Sequence, residues 1–385
     1  MIPLARVVFV TALASCLALT SACKDARDDK GEKAAKDPSR VAPAPARAAA
    51  STSASSAAAT GGPRRLFREE KAMGTGVTIQ VFAPDDASLP RPASKSMDLA
   101  FQEIVRLERL MSTWIPDSEI SRVNAGAFAG PVAVGPDVRA VLEKSRWASE
   151  QSKGAFDITF EVMHGVWKFD HDRDGVVPSR ADVEARRSKI DFTSVVLDPK
   201  KSEVRFRRAE TKINLGGIAK GYAIDAMARA LLDGGLQDFV VQAGGDLYAH
   251  GHKPDGSPWI VGVRDPRGPE GSFFGSLAVT DHAFSTAGDY ERAFVKDGTR
   301  YHHIIDPRTG YPATASRSVT VWATDAHTAD AIDDAIFILG AEQGIPLCEA
   351  IPGCGVVVVD AKNKVWVSKR LEGVFRQNRP PSDGT

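Results

Sequence analysis

The residues best able to do chemistry fall in four short stretches of the chain's second half. The first, 214–225, reads Asn-Leu-Gly-Gly-Ile-Ala-Lys-Gly-Tyr-Ala-Ile-Asp, so Gly216-Gly217 opens a segment with helical patterning. Free backbone N–H groups and the positive end of a helix suit a phosphate there, and Lys220 adds a point charge. The spacing fits neither a Walker A loop nor a dinucleotide fingerprint. Taken alone, the stretch reads first as a helix start with structural glycines. The second stretch, Gly244-Gly245-Asp246, follows a strand pattern. Its glycines permit close approach of a ligand and Asp246 offers an acceptor, although a plain tight turn explains it equally.

The third stretch runs from Ser285-Thr286-Ala287-Gly288-Asp289-Tyr290 to 301–312, where Asp306-Pro307-Arg308-Thr309-Gly310 has the chemistry of a turn. His302 and His303 enter that turn side by side. Successive strand residues point to opposite faces, so at most one of them serves a given site, and a structural role explains either one. The fourth holds Asp330, Asp333 and Asp334, which share one helical face at i, i+3 and i+4. Like charges at that spacing repel, and a cation preferring hard oxygen ligands would relieve them. The alternative is an acidic first turn that complements the helix dipole and is screened by solvent.

Two other patterns carry less. Residues 170–175 copy the start of a calcium loop, but its twelfth position is Ala181 rather than Glu, leaving a solvated acidic turn. Cys348 and Cys354 are close enough in sequence to pair in an exported protein, which spacing alone does not establish.

These stretches need a scaffold. The 385 residues carry 49 basic and 49 acidic side chains, a net charge of +0, which excludes nucleic-acid binding through a basic field. With 43% hydrophobic and 25% charged residues the chain has an ordinary globular composition, and 4 cysteines exclude a disulfide-built scaffold. The front differs. Residues 1–22 read as an export signal, with Arg6 before an apolar run too short to span a bilayer and small residues before Cys23. Cys23 is the expected lipidation site of a bacterial lipoprotein facing the periplasm, with Cys16 as the alternative lipobox and a plain secretory signal as the other reading. Residues 23–63 are rich in Ala, Ser and Pro and read as a disordered tether. A single domain follows over 64–377, with a flexible tail at 378–385. Strand patterns occur at 77–82, 239–242, 259–263, 276–279, 318–323, 355–359 and 364–367. Helical patterns occur at 98–111, 138–148, 218–232 and 326–339, giving an α+β domain of mixed strands and helices. Strand order does not follow from these patterns.

Together, and in this order, the motifs resemble the ApbE flavin transferases, exported bacterial enzymes that move FMN from FAD onto proteins. The resemblance covers about 71–370. It includes Met73-Gly74-Thr75, Ser112-Thr113-Trp114 with 118–124, and Gly154-Ala155-Phe156-Asp157-Ile158-Thr159. It continues through 215–225, 243–246, 285–290, 303–312 and 329–340. What it implies is an ApbE-like fold and FAD held by Met73, Trp114, Ala155, Phe156, Asp157, Asn214, Lys220 and Asp246, with Ile305 near the flavin end. It further implies Mg²⁺ on a backbone oxygen of Gly217 and the side chains of Asp330 and Asp334, with Asp333 beside them and not a ligand. His303 corresponds to the catalytic histidine. The implied reaction has a Ser or Thr hydroxyl of an acceptor protein attack the FMN-side phosphorus, releasing AMP.

Two departures stand out. Asp334 occupies a position where the family commonly carries Thr; a further carboxylate tightens divalent binding but weakens the ion's pull on phosphate. Asn214 stands where some members have Asp, turning an acceptor into a mixed donor and acceptor. The same fold also admits an FAD pyrophosphatase giving FMN and AMP, or a non-catalytic flavin-binding lipoprotein.

Overall fold

The computed structural model describes residues 62–169 and 172–384; the expected signal, the tether up to residue 61, Cys16, Cys23, Asp170 and His171 lie outside them. Eight strands form one antiparallel sheet in which spatial order follows chain order. They are β1 (Arg64–Ala72), β2 (Thr75–Ala83), β3 (Phe239–Ala243), β4 (Asp246–His250), β5 (His282–Gly288), β6 (Ser316–Ala323), β7 (Gly355–Asp360) and β8 (Val365–Val367). Two-residue turns join β1 to β2 and β3 to β4. Met73 and Gly74 both have positive φ, 49° and 72°, as a tight hairpin with right-handed strand twist requires.

The longer connections carry the rest of the fold. Between β2 and β3 lie α1 (Ala93–Met111), α2 (Glu119–Gly126), α3 (Pro136–Gln151), α4 (Arg180–Arg187) and α5 (Ala219–Leu232), with a small sheet of Val132–Ala133, Val195–Asp198 and Glu203–Phe206. Between β4 and β5, strands Trp259–Arg264 and Phe273–Val279 pair with each other, and Phe375–Gln377 joins them. The hairpin Ala293–Lys296 and Thr299–His302 separates β5 from β6. Between β6 and β7 run α6 (Ala326–Leu339) and α7 (Ala341–Glu349). Cys348 of α7 is disulfide-bonded to Cys354 just before β7, with Cα atoms 5.6 Å apart.

The period-2 alternation of the strands sorts side chains into two layers. Val77, Ile79, Val241, Val319, Val321, Val356 and Val358 face the helices, and each contributes roughly 2 kcal/mol by leaving water. Leu247, Ala249, Phe284, Val357 and Val359 face the other way, onto Trp259, Phe274 and Leu277. The same parity aims Asp246 and Ser285 at the helical layer, because Tyr248, Ala283 and Ala287 pack there. Apolar strands thus deliver two polar side chains beneath α5 and α6.

Three differences from the sequence patterns have physical causes. β1 alternates charge rather than apolarity, since it is an edge strand and mostly exposed. β5, which no strand pattern announces, is built largely of small residues that its neighbours bury on both faces. In the tail expected to be flexible from 378, Arg379 and Ser382 are bonded to the domain. Asp265 is fully buried and needs donors, which Ser382 supplies from N and Oγ and Arg379 from its guanidinium at 2.6 Å. Among the described residues no helix is long and apolar enough to cross a membrane.

Candidate active site

The site starts where α5 crosses α6. A Cβ on Gly221 would lie 2.2 Å from the Ala326 carbonyl oxygen, so only glycine lets the helices approach this closely. The Gly221 N–H donates to Asp330 Oδ2 at 2.7 Å, and Asp225 accepts from the N–H groups of Ala326 and His327 at 2.9 and 3.0 Å. Asp325 caps α6 by accepting from Thr328 N at 2.7 Å. Asp330 therefore stands one turn inside α6, facing the start of α5.

Around that crossing the charges collect. Lys220 Nζ lies 2.6 Å from Asp246 Oδ2 and 3.2 Å from Asp330 Oδ1. Burial alone would depress this ammonium, but Asp246 and Asp330 override it and hold it well above the usual lysine value. Ser285 Oγ is 2.6 Å from both Asp246 Oδ1 and Asp333 Oδ2. One hydroxyl has one hydrogen, so one of those contacts needs a proton from the carboxyl side. Asp333 supplies it: burial, then the neighbouring Asp334 and Asp330, push it well above the carboxylate range. Asp246, Asp330 and Asp333 each offer an oxygen within 4.8 Å of the others. This trio differs from the expected set of Gly217, Asp330 and Asp334: Asp333 joins it, and Asp334 lies beside Gly217, its Oδ2 3.0 Å from where a Cβ there would sit. Burial, then Asp330, pushes Asp334 up to about 7. A glycine at 217 leaves that carboxylate room, and the all-oxygen donor set fits a hard divalent cation. The acidic-first-turn alternative fails, because the three aspartates lie beyond the first turn of α6, and Asp330 and Asp333 are only 2% and 4% exposed.

The two histidines divide as alternation requires. His302 is buried, with Nε2–H donating to Ala313 O at 2.8 Å and Nδ1 accepting from Ile304 N at 3.3 Å. It is structural. His303 Nδ1, in contrast, is buried with no hydrogen-bond partner. Burial first, then Arg292, the neighbouring His302 ring and Lys220, drives His303 well below the usual imidazole value, leaving it neutral. The same Arg292 also acts on Asp334, so His303, Lys220 and the aspartates share one electrostatic neighbourhood.

The other expected residues sit in two groups. Asn214 Oδ1 accepts from Gly216 N at 2.7 Å and its Nδ2 donates to Glu161 Oε2 at 2.8 Å, fixing the glycine turn. This accounts for Asn at 214, since an aspartate there would face Glu161 with a second carboxylate. Trp114 is 57% exposed and meets His164 edge-on at 5.5 Å. A cleft of about 500 Å³ opens beside them, with Glu161, His164, Arg186, Lys189 and Lys212 among its walls. Phe156 is buried and lies 3.5 Å from the Cβ position of Gly217, next to buried Ala155. Asp157 is occupied as a staple: Oδ1 accepts from Thr159 N and Oγ1, and Oδ2 from Phe192 N at 2.9 Å. Ile305 packs with Val162, Met163 and Trp167. Met73 caps the β1–β2 turn, half-buried against the core. Sequence patterns gave no role to Ser285, Glu161, Arg292 or Asp225; for Asp225 the signal was its place one helical turn after Gly221.

A helix-covered antiparallel sheet that gathers Lys220 with Asp246, Asp330 and Asp333, and sets Asp334 beside Gly217, defines an α+β domain with a charged site. The chain belongs to the ApbE family, which it matches over residues 73–358. It is 31% identical to the FAD:protein FMN transferase of Treponema pallidum, covering 79% of this chain and 87% of that one. The crystal structure of the ApbE protein from Thermotoga maritima superimposes with a TM-score of 0.72 at 30% identity, covering 82% of this chain and 100% of that chain. The flavin transferase ApbE from Vibrio cholerae gives 0.73 at 26% identity, covering 81% and 99%.

Proposed function

We propose that this protein transfers FMN from FAD to a Ser or Thr hydroxyl of an acceptor protein, releasing AMP, with Mg²⁺ as cofactor. The observation that carries the reading is a neutral His303, its buried Nδ1 without a hydrogen-bond partner, within the electrostatic reach of Lys220 and of the Arg292 that also acts on Asp334. A hydroxyl is a poor nucleophile and needs a base; His303 takes its proton as the oxygen bonds to the FMN-side phosphorus. The anhydride bond breaks and AMP leaves with the bridging oxygen. Asp330, Asp334 and the Gly217 carbonyl would hold Mg²⁺, whose charge neutralises the pyrophosphate. Lys220 fixes Asp246 and Asp330 in place. Trp114 offers a ring face to FAD, Asn214 holds the glycine turn, and Met73, the Ala155–Phe156–Asp157 turn and Ile305 complete the walls. The export signal at 1–22, the tether at 23–63 and lipidation at Cys23 belong to the same proposal and put the domain outside the cytoplasm on a membrane leash.

Incubating the purified domain with FAD, Mg²⁺ and a candidate acceptor, then weighing the acceptor by mass spectrometry, tests the reaction. Transfer adds one FMN to the acceptor. Free FMN and AMP with an unmodified acceptor would mean hydrolysis, and intact FAD a binding protein; either outcome removes the proposal.

A further inference from the structure

We infer that Asp225 is a positioning residue for Asp330, acting through a reciprocal exchange of caps between α5 and α6; this rests on the proposed role of Asp330 as a cation ligand. The first N–H groups of any helix lack intrahelical partners. In α5 the N-cap residue, Ile218, has no side chain able to satisfy them, and Asp330 of α6 does so by accepting from Gly221 N at 2.7 Å. In α6, Asp325 satisfies Thr328 N, and the first two N–H groups, of Ala326 and His327, go to the two oxygens of Asp225 on α5. Each helix thus lends the other a carboxylate. The exchange is possible only because Gly221 lets the backbones touch, its Cβ position lying 2.2 Å from Ala326 O.

The geometry fixes what Asp225 controls. Asp330 spends Oδ2 on Gly221 and turns Oδ1 toward Lys220 and the cation-binding face. It stands one turn beyond the two N–H groups that Asp225 holds. Without Asp225 the start of α6 loses two of its anchors to α5, and Asp330, one turn on, is held only by Gly221 and Lys220. An outer group that orients a metal ligand in this way typically changes metal affinity by about tenfold or more when removed.

The test is Mn²⁺ titration of the purified protein without FAD, followed by electron paramagnetic resonance, since Mn²⁺ prefers the same hard oxygen donors. Asp225→Ala is expected to weaken Mn²⁺ binding about tenfold, with Asp225→Asn, which keeps one acceptor, in between. Asp360→Ala serves as the control. Asp360 accepts from Lys362 N, Lys364 N and Trp366 Nε1 in the β7–β8 turn and touches none of these groups. It should lose thermal stability while binding Mn²⁺ like the wild type. Unchanged affinity in Asp225→Ala overturns the inference, as does an equal weakening in Asp360→Ala. If Asp225→Ala does not fold, Asp225→Asn decides alone, with unchanged affinity overturning. A wild type that binds no Mn²⁺ overturns both the metal reading and this inference; one that binds Mn²⁺ but transfers no FMN counts against the reaction alone.

Discussion

Lys220 Nζ stands 2.6 Å from Asp246 Oδ2, so a cation rooted in α5 meets an anion at the first residue of β4. The pair pins the helical layer to the turn end of the sheet, with Asp330 as a second anchor at 3.2 Å. Its ammonium is therefore already matched by two carboxylates. As a point charge for phosphate, Lys220 would act only in competition with them, and its constant work is holding the carboxylates together.

Replacing Lys220 by Met should accordingly damage structure and chemistry at once. Removing one member of a buried charge cluster costs about 3–5 kcal/mol, because its partners are left uncompensated. Thermal unfolding should show a clear fall in Tm, and FMN transfer should be lost. A Met variant as stable as the wild type would show that the cluster adjusts its own protonation and does not need the lysine.

His303→Ala is expected to abolish transfer while FAD remains bound, as followed by flavin fluorescence. The pH profile supplies a sharper check. A base works when neutral, and a depressed imidazole stays neutral to lower pH, so the acid limb moves down. At Mg²⁺ high enough to keep Asp334 ionised, kcat/KM should stay level as pH falls to 6.5 and drop only in more acid solution. An acid limb centred at or above 6.5, or undiminished transfer by His303→Ala, would exclude this histidine as the base.

Much of this site was legible in the sequence, for identifiable reasons. The α6 pattern at 326–339 carries its own start signal in Asp325 and an apolar face, so its aspartates could be put on one side. Alternation limited His302 and His303 to at most one site residue, and the resemblance pointed to His303. What escaped were contacts made by distant chain. Gly221 must be glycine because of Ala326, more than a hundred residues later, and Asp333 turns to Ser285 on a strand whose small residues carry no strand signal. Asp157, expected at the FAD site, has its side chain consumed by Thr159 and Phe192, which no local pattern announces.

Asp334→Thr should retain or raise Mg²⁺-dependent turnover. The hydroxyl keeps one oxygen against Gly217, and the local excess of carboxylates over Lys220 falls by one. An ion less neutralised by its ligands polarises phosphate more strongly. Steady-state transfer at varied Mg²⁺ is the measurement. Total loss of turnover would show that this chain depends on the carboxylate.

His327 gives a prediction about stability in acid. Its ring meets Tyr222 edge-on at 5.1 Å, its Nε2 is buried without a partner, and Lys144, Asp325 and Arg229 are the charges that face it. Burial first, then Lys144, lowers its pKa from 6.5 to about 4. The folded state therefore resists a proton that the unfolded chain accepts. Stability from this group is complete above 6.5 and is lost as pH falls from there toward 4, about 2 kcal/mol after allowance for partial exposure. His327→Gln, which does not titrate, should remove that slope, so its Tm falls less than the wild-type Tm between those two pH values. Parallel Tm profiles for the two proteins would show that the imidazole is charged in the fold, with Asp325 and Asp225 compensating Lys144.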